Sequence, residues 1–250
     1  MGAVMALALA WAPGLTANAA EPTIEEIAAL RTGAEAGQAA AQYWYGLHLE
    51  REAHAAAEAA QWYRRAAAQG HREAELRLAQ ILERGIGVPE NPAEARELYV
   101  RSARAGVVVA QFNLAVMLEE ARGGPRDLEG AAYWYHLAAL QGHGRAANNL
   151  ATMLAKGEGV EADREAAIRW YQVAAQRGVD DALYNLGVLY LREPNPDIAT
   201  AQAWLRLAAA RAGGHVAALA RAGLKALEPA MTPELMQQAR QLEADLKRQL

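Results

Sequence analysis

Three histidines recur at a regular spacing, which raises the question of a metal site. His71, His143 and His215 lie 72 residues apart, each directly after a glycine. If the chain is built of stacked helical repeats, two repeats separate each pair, so the imidazoles lie about 20 Å apart, whereas ligands of one metal sit about 2 Å from it. We therefore interpret the histidines as repeat residues, and we predict no metal site.

Other chemistry is equally hard to place on this sequence. The chain has no cysteine, which excludes disulfides, thiolate metal sites and cysteine nucleophiles. The Gly-x-Gly segments at 85–87 and 157–159 follow predicted helices instead of strands, so they do not meet the structural requirement of a phosphate-binding loop. Neighbouring carboxylates such as Glu25 and Glu26 point in different directions on a helix. We predict no catalytic residue and no cofactor.

The composition indicates many closely packed helices. Of the 250 residues, 62 are alanine and one is phenylalanine. Alanine is the strongest helix former and adds little volume, so it allows helices to approach closely. The net charge is −4, which lacks the basic excess that phosphate neutralisation requires. The sequence predicts an all-α protein and argues against nucleic acid as its partner.

A period of 36 residues organises the chain. Glycines recur at Gly70, Gly106, Gly142 and Gly178, and Gly214 continues the series. Aromatic pairs and alanine pairs follow the same period, which is typical of a repeat architecture. The pairs include Trp62-Tyr63, Trp134-Tyr135 and Trp170-Tyr171, then Ala66-Ala67, Ala138-Ala139 and Ala174-Ala175.

Each period predicts two helices, A and B. In one repeat, helix A runs from about Arg145 to Lys156, and apolar residues at helical spacing, including Leu150, face the core. A glycine turn ends helix A, and an Asp or Asn cap starts helix B, whose Trp and Tyr residues we expect in the core. The predicted caps are Asn91, Asp127, Asp163 and Asp197.

These residues carry a resemblance to a known family. The string Ala182-x-Tyr184-Asn185-Leu186-Gly187, the turn Gly157-x-Gly159-Val160 and the series Ala167-x-x-Trp170-Tyr171-x-x-Ala174-Ala175-x-x-Gly178 resemble Sel1-like repeats, which are relatives of tetratricopeptide repeats. The resemblance covers about residues 37–214. It implies an α-solenoid of about five helix-turn-helix repeats that binds other proteins, and it implies no reaction. Some cysteine-rich Sel1-like proteins are associated with β-lactam binding or hydrolysis, but this chain has no cysteine.

The repeat register also predicts the domain organisation. Repeats are expected at 37–69, 70–105, 106–141, 142–177 and 178–213, with a capping helix at 20–36 that starts at a Thr23-x-x-Glu26 capping box. A half repeat and a capping helix follow at 214–250. In the last helix, from Pro233 to Leu250, apolar residues are expected to face the repeats: Leu235, Met236, Ala239, Leu242 and Leu246.

Residues 1–19 have the pattern of a secretory signal peptide. An apolar run from Ala3 to Ala12 is too short to span a bilayer, and Ala17-Asn18-Ala19 suits cleavage after Ala19. We therefore expect a periplasmic or secreted protein without a membrane span in the mature chain. If residues 1–20 are retained as a buried helix, the protein is cytoplasmic.

The A helices are expected to line a concave groove. On each of them, the residue before the buried leucine belongs to a stripe that faces away from the core. Such a wall of amides, guanidinium groups and aromatic rings suits a protein or an extended peptide. The predicted binding residues are Tyr43, Trp44, Arg77, Gln80, Phe112, Asn113, Arg145, Asn148, Asn149, Thr152, Tyr184 and Asn185.

Two interpretations of the asparagines remain open. Asn113, Asn149 and Asn185 share one repeat position, and they could bind a ligand or tie neighbouring helices together. The preferred function is a non-catalytic interaction scaffold or adaptor in the bacterial envelope, with regulation of signalling as a variant of it. The alternative is a periplasmic hydrolase that acts on cell-wall peptides or β-lactams. The sequence does not indicate the oligomeric state.

Overall fold

The computed structural model describes residues 22–52, 54–192, 194 and 196–250, and this part of the chain contains thirteen α-helices and no strand. The all-α prediction is therefore confirmed. The chain divides into two compact units, the first ending at Arg126 and the second beginning at Asp127. The predicted signal peptide, residues 1–19, lies outside the described residues.

The first unit contains six helices, of which α2, α4 and α6 are A helices and α3 and α5 are B helices. Each helix packs on the next one along the chain from α1 to α6. Their bounds are α1 Ile24–Glu35, α2 Ala39–Leu49, α3 Ala56–Ala68, α4 Arg72–Arg84, α5 Pro92–Arg104 and α6 Val108–Glu119.

The second unit contains seven helices, of which α8, α10 and α12 are A helices. The helices α7, α9 and α11 are B helices. The bounds are α7 Leu128–Leu140, α8 Gly144–Lys156, α9 Arg164–Gln176, α10 Asp181–Tyr190, α11 Ile198–Arg211, α12 Gly214–Leu227 and α13 Pro233–Gln249, with a short 3-10 helix at Glu228–Ala230.

The predicted caps start the B helices. The side chains of Asn91, Asp127, Asp163 and Asp197 each accept a hydrogen bond from the backbone N–H three residues later. This bond satisfies an amide that the helix itself leaves unpaired. The capping box of Thr23 and Glu26 is also present at the start of α1.

Small residues allow the helices of a pair to pack closely. Ala66, Ala138 and Ala174 are fully buried on three B helices, and the tyrosines beside them are buried as well. In the first unit, a Cβ atom at Gly46 would lie 2.8 Å from Cε1 of Tyr63. The ring of Tyr63 therefore packs directly against the backbone of α2.

The tryptophans of the B helices are less uniform than expected. Trp62 and Trp204 are buried, as predicted, but Trp134 and Trp170 are only half-buried. The prediction that they are core residues is wrong, because each lies at the edge of its helix pair and not inside it. Trp170 lines an open cleft between α7 and α9.

Three of the six A helices, α4, α6 and α8, end at a residue in the left-handed conformation. Gly157 has φ 72°, its N–H donates to the carbonyl of Met153, and so does the N–H of Glu158. The equivalent residue in α6 is Ala121, which has φ 58°. The following N–H, of Arg122, donates to the carbonyl of Met117 at 2.9 Å, so the helix ends in the same way without the glycine.

The last helix packs on α11. Four of the five residues expected to face the repeats are buried or half-buried: Leu235, Ala239, Leu242 and Leu246. Ala239 is buried, whereas Met236 is 38% exposed, so the prediction that Met236 faces the repeats is wrong. A carboxylate, Glu243, is buried instead and forms ion pairs with Arg206 of α11 and Lys247. An ion pair across the interface takes the place of part of the expected apolar contact.

Within the described ranges, every helix is too short or too polar to cross a membrane.

Candidate binding surface of the A helices

The predicted binding residues fall into two sets, one in each compact unit. Six lie on α2, α4 and α6 and form what we call the unit 1 surface: Tyr43, Trp44, Arg77, Gln80, Phe112 and Asn113. The other six lie on α8 and α10 and form the unit 2 surface: Arg145, Asn148, Asn149, Thr152, Tyr184 and Asn185.

Aromatic stacking dominates one end of the unit 1 surface. Tyr43 stacks on the imidazole of His71 at 4.6 Å between ring centroids and meets Trp44 edge-on at 5.1 Å. Burial raises the pKa of Tyr43, and the nearby guanidinium of Arg77 offsets part of that effect. Tyr43 and Phe112 are each 9% exposed, so they support this surface more than they form it.

Arg77 lies beside an acidic group of the preceding A helix. Its Nη1 atom is 3.8 Å from Oε2 of Glu50, and both side chains are partly exposed. Trp44 and Gln80 are also half-buried. The middle of the unit 1 surface therefore presents a guanidinium, an indole and an amide to solvent.

Asn113 has a structural partner. Its Nδ2 donates to the hydroxyl of Tyr99 at 3.3 Å, and that hydroxyl donates to Oε2 of Glu83 at 2.7 Å. Arg122 donates to the other oxygen of Glu83 at 2.7 Å. Burial raises the pKa of Tyr99, and the hydrogen bond to Glu83 raises it further, so this tyrosine stays protonated. In this unit the asparagine ties α6 to α5.

In the unit 2 surface, three asparagines form a continuous chain of side-chain bonds. Asn185 of α10 donates to Oδ1 of Asn148 in α8 at 3.1 Å. Asn148 in turn donates to Oδ1 of Asn149 at 3.3 Å. These asparagines therefore join the neighbouring A helices α8 and α10, and Asn148 takes part in both hydrogen bonds.

Two polar atoms of these asparagine side chains have no hydrogen-bond partner among the described residues. Among the described residues, Nδ2 of Asn149 has no acceptor and Oδ1 of Asn185 has no donor. Both side chains are half-buried, as is Tyr184 beside Asn185. One free donor and one free acceptor thus stand on adjacent helices.

Thr152 extends the polar row toward helix B. Its hydroxyl donates to the carbonyl of Asn148 at 3.1 Å and lies 2.9 Å from the hydroxyl of Tyr171. Because the threonine proton goes to Asn148, the tyrosine is the donor between the two hydroxyls.

Arg145 is exposed and lines a cleft of about 340 Å³ at the start of α10 and α12. The same cleft contains the acidic residues Asp180 and Asp181, and Val179 and Val216 contribute apolar surface. This end of the unit 2 surface therefore carries both signs of charge.

Two of the repeated histidines have a structural role that the sequence did not reveal. Nδ1 of His71 accepts the N–H of Ala74 at 3.3 Å, and Nδ1 of His143 accepts the N–H of Ala146 at 3.1 Å. Each imidazole therefore caps the start of an A helix, at α4 and α8. Burial lowers the pKa of both histidines.

The sequence analysis also missed Glu83 as the partner of the Tyr99 hydroxyl. A glutamate recurs at the same repeat position in Glu50, and that recurrence was the available signal. Within the ranges that the structure covers, no three His, Asp or Glu side chains are grouped so as to hold a metal ion.

Tandem helix pairs with polar rows on the A helices define an α-solenoid repeat protein. The chain belongs to the Sel1 repeat family, whose model matches five consecutive segments and more than half of the chain. The matched segments are 39–71, 72–107, 108–143, 144–179 and 180–212.

Two solved structures of Sel1 type are similar to this chain. One is c5321, a protective antigen of uropathogenic Escherichia coli, with 27% identity and a TM-score of 0.75 over 99% of this chain and 53% of the antigen. This chain thus corresponds to about half of the antigen's length. The other is a Sel1 repeat protein from Oxalobacter formigenes, with 29% identity and a TM-score of 0.58 over 74% of this chain and 76% of that one. A comparison with curated proteins finds no match.

Proposed function

We propose that this chain is a non-catalytic scaffold that binds a protein or an extended peptide on its A-helix surfaces. The observation that carries the proposal is the pair of unused amide groups in the unit 2 surface. Nδ2 of Asn149 and Oδ1 of Asn185 offer one donor and one acceptor, which is what an extended peptide backbone requires.

The geometry of the asparagine chain makes this pair well suited to binding. Asn148 holds the side chains of Asn149 and Asn185 through hydrogen bonds at 3.3 Å and 3.1 Å. Amides that are already ordered lose little conformational entropy when a ligand binds. The structural and binding interpretations of the asparagines are therefore compatible, since Asn148 supports and the other two bind.

The neighbouring side chains add specificity to the same surface. Tyr184 is half-buried beside Asn185 and offers an aromatic face with a polar tip. Arg145 adds a guanidinium to the neighbouring cleft, and the exposed Asp181 adds an acceptor for a cationic group, whereas Asp180 is already paired with Arg211 at 3.2 Å. A peptide with polar and charged side chains fits this combination better than an apolar one.

The family supports the general class of function. The Sel1 repeat fold commonly mediates protein–protein interaction, and Sel1 scaffolds are generally non-catalytic. For this chain we place the interaction in the bacterial envelope, where it could regulate signalling. That placement rests on the signal-peptide pattern at residues 1–19.

Site-specific photo-crosslinking in the native host tests the binding surface. A photoreactive residue at Asn149 is expected to capture one protein in a defined adduct. The same photoreactive residue in place of Arg104, an exposed position on α5, is the matched control and is expected to capture none. Equal capture at both positions would contradict the proposed surface, and turnover of cell-wall peptides by the purified chain would contradict the non-catalytic assignment.

The envelope location has a separate test. The intact mass of the protein recovered from its host is expected to correspond to a chain that starts at Ala20. A cytoplasmic protein that retains Met1 would contradict the location while leaving the binding surface open to its own test.

A further inference from the structure

A second cleft lies between two B helices of the second unit. It has a volume of about 360 Å³, within the usual range for sites that accept a small ligand or a side chain. Leu150 and Leu154 of α8 line it together with Val160, so part of its lining is apolar. The binding surface proposed above occupies other positions of α8, so this cleft is a separate feature.

Aromatic rings line the cleft from both B helices. Tyr133 and His136 come from α7, and Trp170 comes from α9. The rings of His136 and Trp170 meet edge to face at 5.6 Å, which fixes the orientation of the indole. Tyr133 is 57% exposed, unusual for a large apolar side chain in this protein.

A single carboxylate completes the lining. Glu129 lies one helical turn before Tyr133 on the same face of α7. It is exposed, and within the part of the chain that the structure describes it forms no ion pair. The cleft therefore combines apolar surface, aromatic faces and one uncompensated negative charge.

The first repeat shows what this combination attracts. Trp62 occupies the position equivalent to Trp170, and the guanidinium carbon of Arg65 lies 4.4 Å from its ring centroid. The Nε1 atom of Trp62 donates to Glu58 at 3.3 Å, so ring, cation and carboxylate are grouped there. In the repeat of Trp170, the position of Arg65 is taken by Val173. Among the residues that the structure describes, no arginine or lysine lies over the ring of Trp170.

The geometry points to a site for an arginine or lysine side chain of a protein partner in this cleft. The aliphatic stem lies along Leu150, Leu154 and Ala132. The cationic head lies against the faces of Tyr133 and Trp170, with Glu129 as its counter-ion. The inference is independent of the A-helix surfaces and assigns a basic segment to the opposite helices of the repeat.

Capped glycine pentapeptides with arginine, norleucine or glutamate at the centre test the inference by NMR titration of the labelled full chain. The arginine peptide is expected to give saturable shifts in α7 and α9, and in the indole N–H of Trp170. Its affinity is expected to exceed that of the norleucine peptide by about threefold or more, as one cation–π contact and one exposed ion pair imply. The glutamate peptide is expected not to bind.

Variants of exposed residues separate charge from apolar contact without disturbing the core. Glu129→Gln is expected to lower the affinity for the arginine peptide about threefold and to leave the affinity for the norleucine peptide unchanged. Glu165→Gln is the matched control, because Glu165 is also exposed, on α9, and already lies 4.0 Å from Arg169. Tyr133→Phe is expected to retain binding and Tyr133→Leu to weaken it, since only the first keeps the ring.

Three results would overturn the inference. The first is a norleucine peptide that binds as tightly as the arginine peptide. The second is an affinity for the arginine peptide that Glu129→Gln leaves unchanged, and the third is chemical-shift changes confined to the A helices.

Discussion

At the residue scale, Ala121 takes a backbone conformation that favours glycine. Its φ is 58°, whereas the equivalent positions hold Gly85 at 65° and Gly157 at 72°. A Cβ atom in this conformation costs about 1–2 kcal/mol, and the greater freedom of glycine in the unfolded chain offsets up to about 1 kcal/mol.

We therefore expect Ala121→Gly to raise the free energy of unfolding by up to about 1 kcal/mol. Urea denaturation measures the change. The matched control is Ala105→Gly, at a helix end with φ −76°, which is expected to bring no gain. Destabilisation by Ala121→Gly would contradict the left-handed helix end.

The two capping histidines make stability depend on pH. Only a neutral Nδ1 accepts the N–H of Ala74 or Ala146, and burial lowers the pKa of His71 and His143 in the folded chain. Between that lowered pKa and the ordinary value of about 6.5, the unfolded chain binds more protons. The contribution of the two histidine caps to the free energy of unfolding is therefore complete above about pH 6.5, and it is lost as the pH falls toward the folded-state pKa.

The variant His71→Ser/His143→Ser keeps a capping oxygen and removes both titrating groups. Its free energy of unfolding is expected to fall less than that of the parent chain between about pH 7.5 and pH 5.5. The control is His215→Ser, because His215 lies inside α12, whose cap is Gly213. An equally steep loss in the double variant would contradict the role of the imidazoles.

Side-chain partners could be predicted from the sequence only where they are local. The Asp and Asn caps were predictable because their bonds reach three residues along the same helix. The hydrogen bond from Asn185 to Asn148 joins residues of different repeats, and it depends on the spacing and rotation of two helices. The repeat period showed that these asparagines share a face of the A helices, but it did not show which of them would be hydrogen-bonded to one another.

At the element scale, the last helix is attached by charge as well as by apolar contact. Burial alone would raise the pKa of Glu243, but the hydrogen bonds from Lys247 and Arg206 outweigh it and lower the pKa. Arg206 donates to Glu243 at 2.5 Å. The carboxylate is 11% exposed, so its removal leaves the guanidinium beside a neutral group in a partly dry interface.

Glu243→Gln is expected to lower the free energy of unfolding by about 1 kcal/mol, after allowance for the exposure of Arg206 and Lys247. Faster amide exchange in α13 than in α11 should accompany this loss. For comparison, Glu165→Gln breaks the exposed ion pair with Arg169 and is expected to change the free energy of unfolding by less than about 0.5 kcal/mol. Equal effects of the two substitutions would contradict the docking role of Glu243.

The helices themselves were predictable because their apolar residues recur with the helical period. Helix A of the fourth repeat was expected at about 145–156 and occurs at Gly144–Lys156. The apolar spacing of α13 identified most of its inward-facing residues, but it did not predict that Met236 is exposed or that Glu243 is buried. The buried Glu243 depends on Arg206 of α11, a partner that the sequence of α13 alone cannot reveal.

At the scale of the whole molecule, the repeats predict how the chain tolerates the loss of a unit. Each repeat contributes its own stability and that of its contacts with the next one. Deletion of Gly142 to Arg177 removes one full period, α8 and α9 included, and leaves helix pairs of the same kind. The shortened chain is expected to stay soluble and helical by circular dichroism.

A deletion of half a period, residues 142–159, is the matched control, because it would place two B helices in succession. It is expected to unfold at a lower temperature than the full-period deletion. Complete loss of helical signal in the full-period variant would argue for a fold with long-range contacts instead of repeats.

The most direct measurement of the proposed function is the affinity of the partner captured at Asn149. The triple variant Arg145→Ala/Asn149→Ala/Asn185→Ala removes the guanidinium and both unused amides while Asn148 remains. We expect its affinity to fall more than about tenfold, or about 1.4 kcal/mol, while each single substitution lowers the free energy of unfolding by less than about 1 kcal/mol. Asn148→Ala breaks both hydrogen bonds that link the three asparagines, so it is the control for structural damage. It is expected to lower the free energy of unfolding more than alanine at Asn149 or Asn185. A fully folded triple variant that binds its partner with unchanged affinity would contradict the A-helix surface as the binding site.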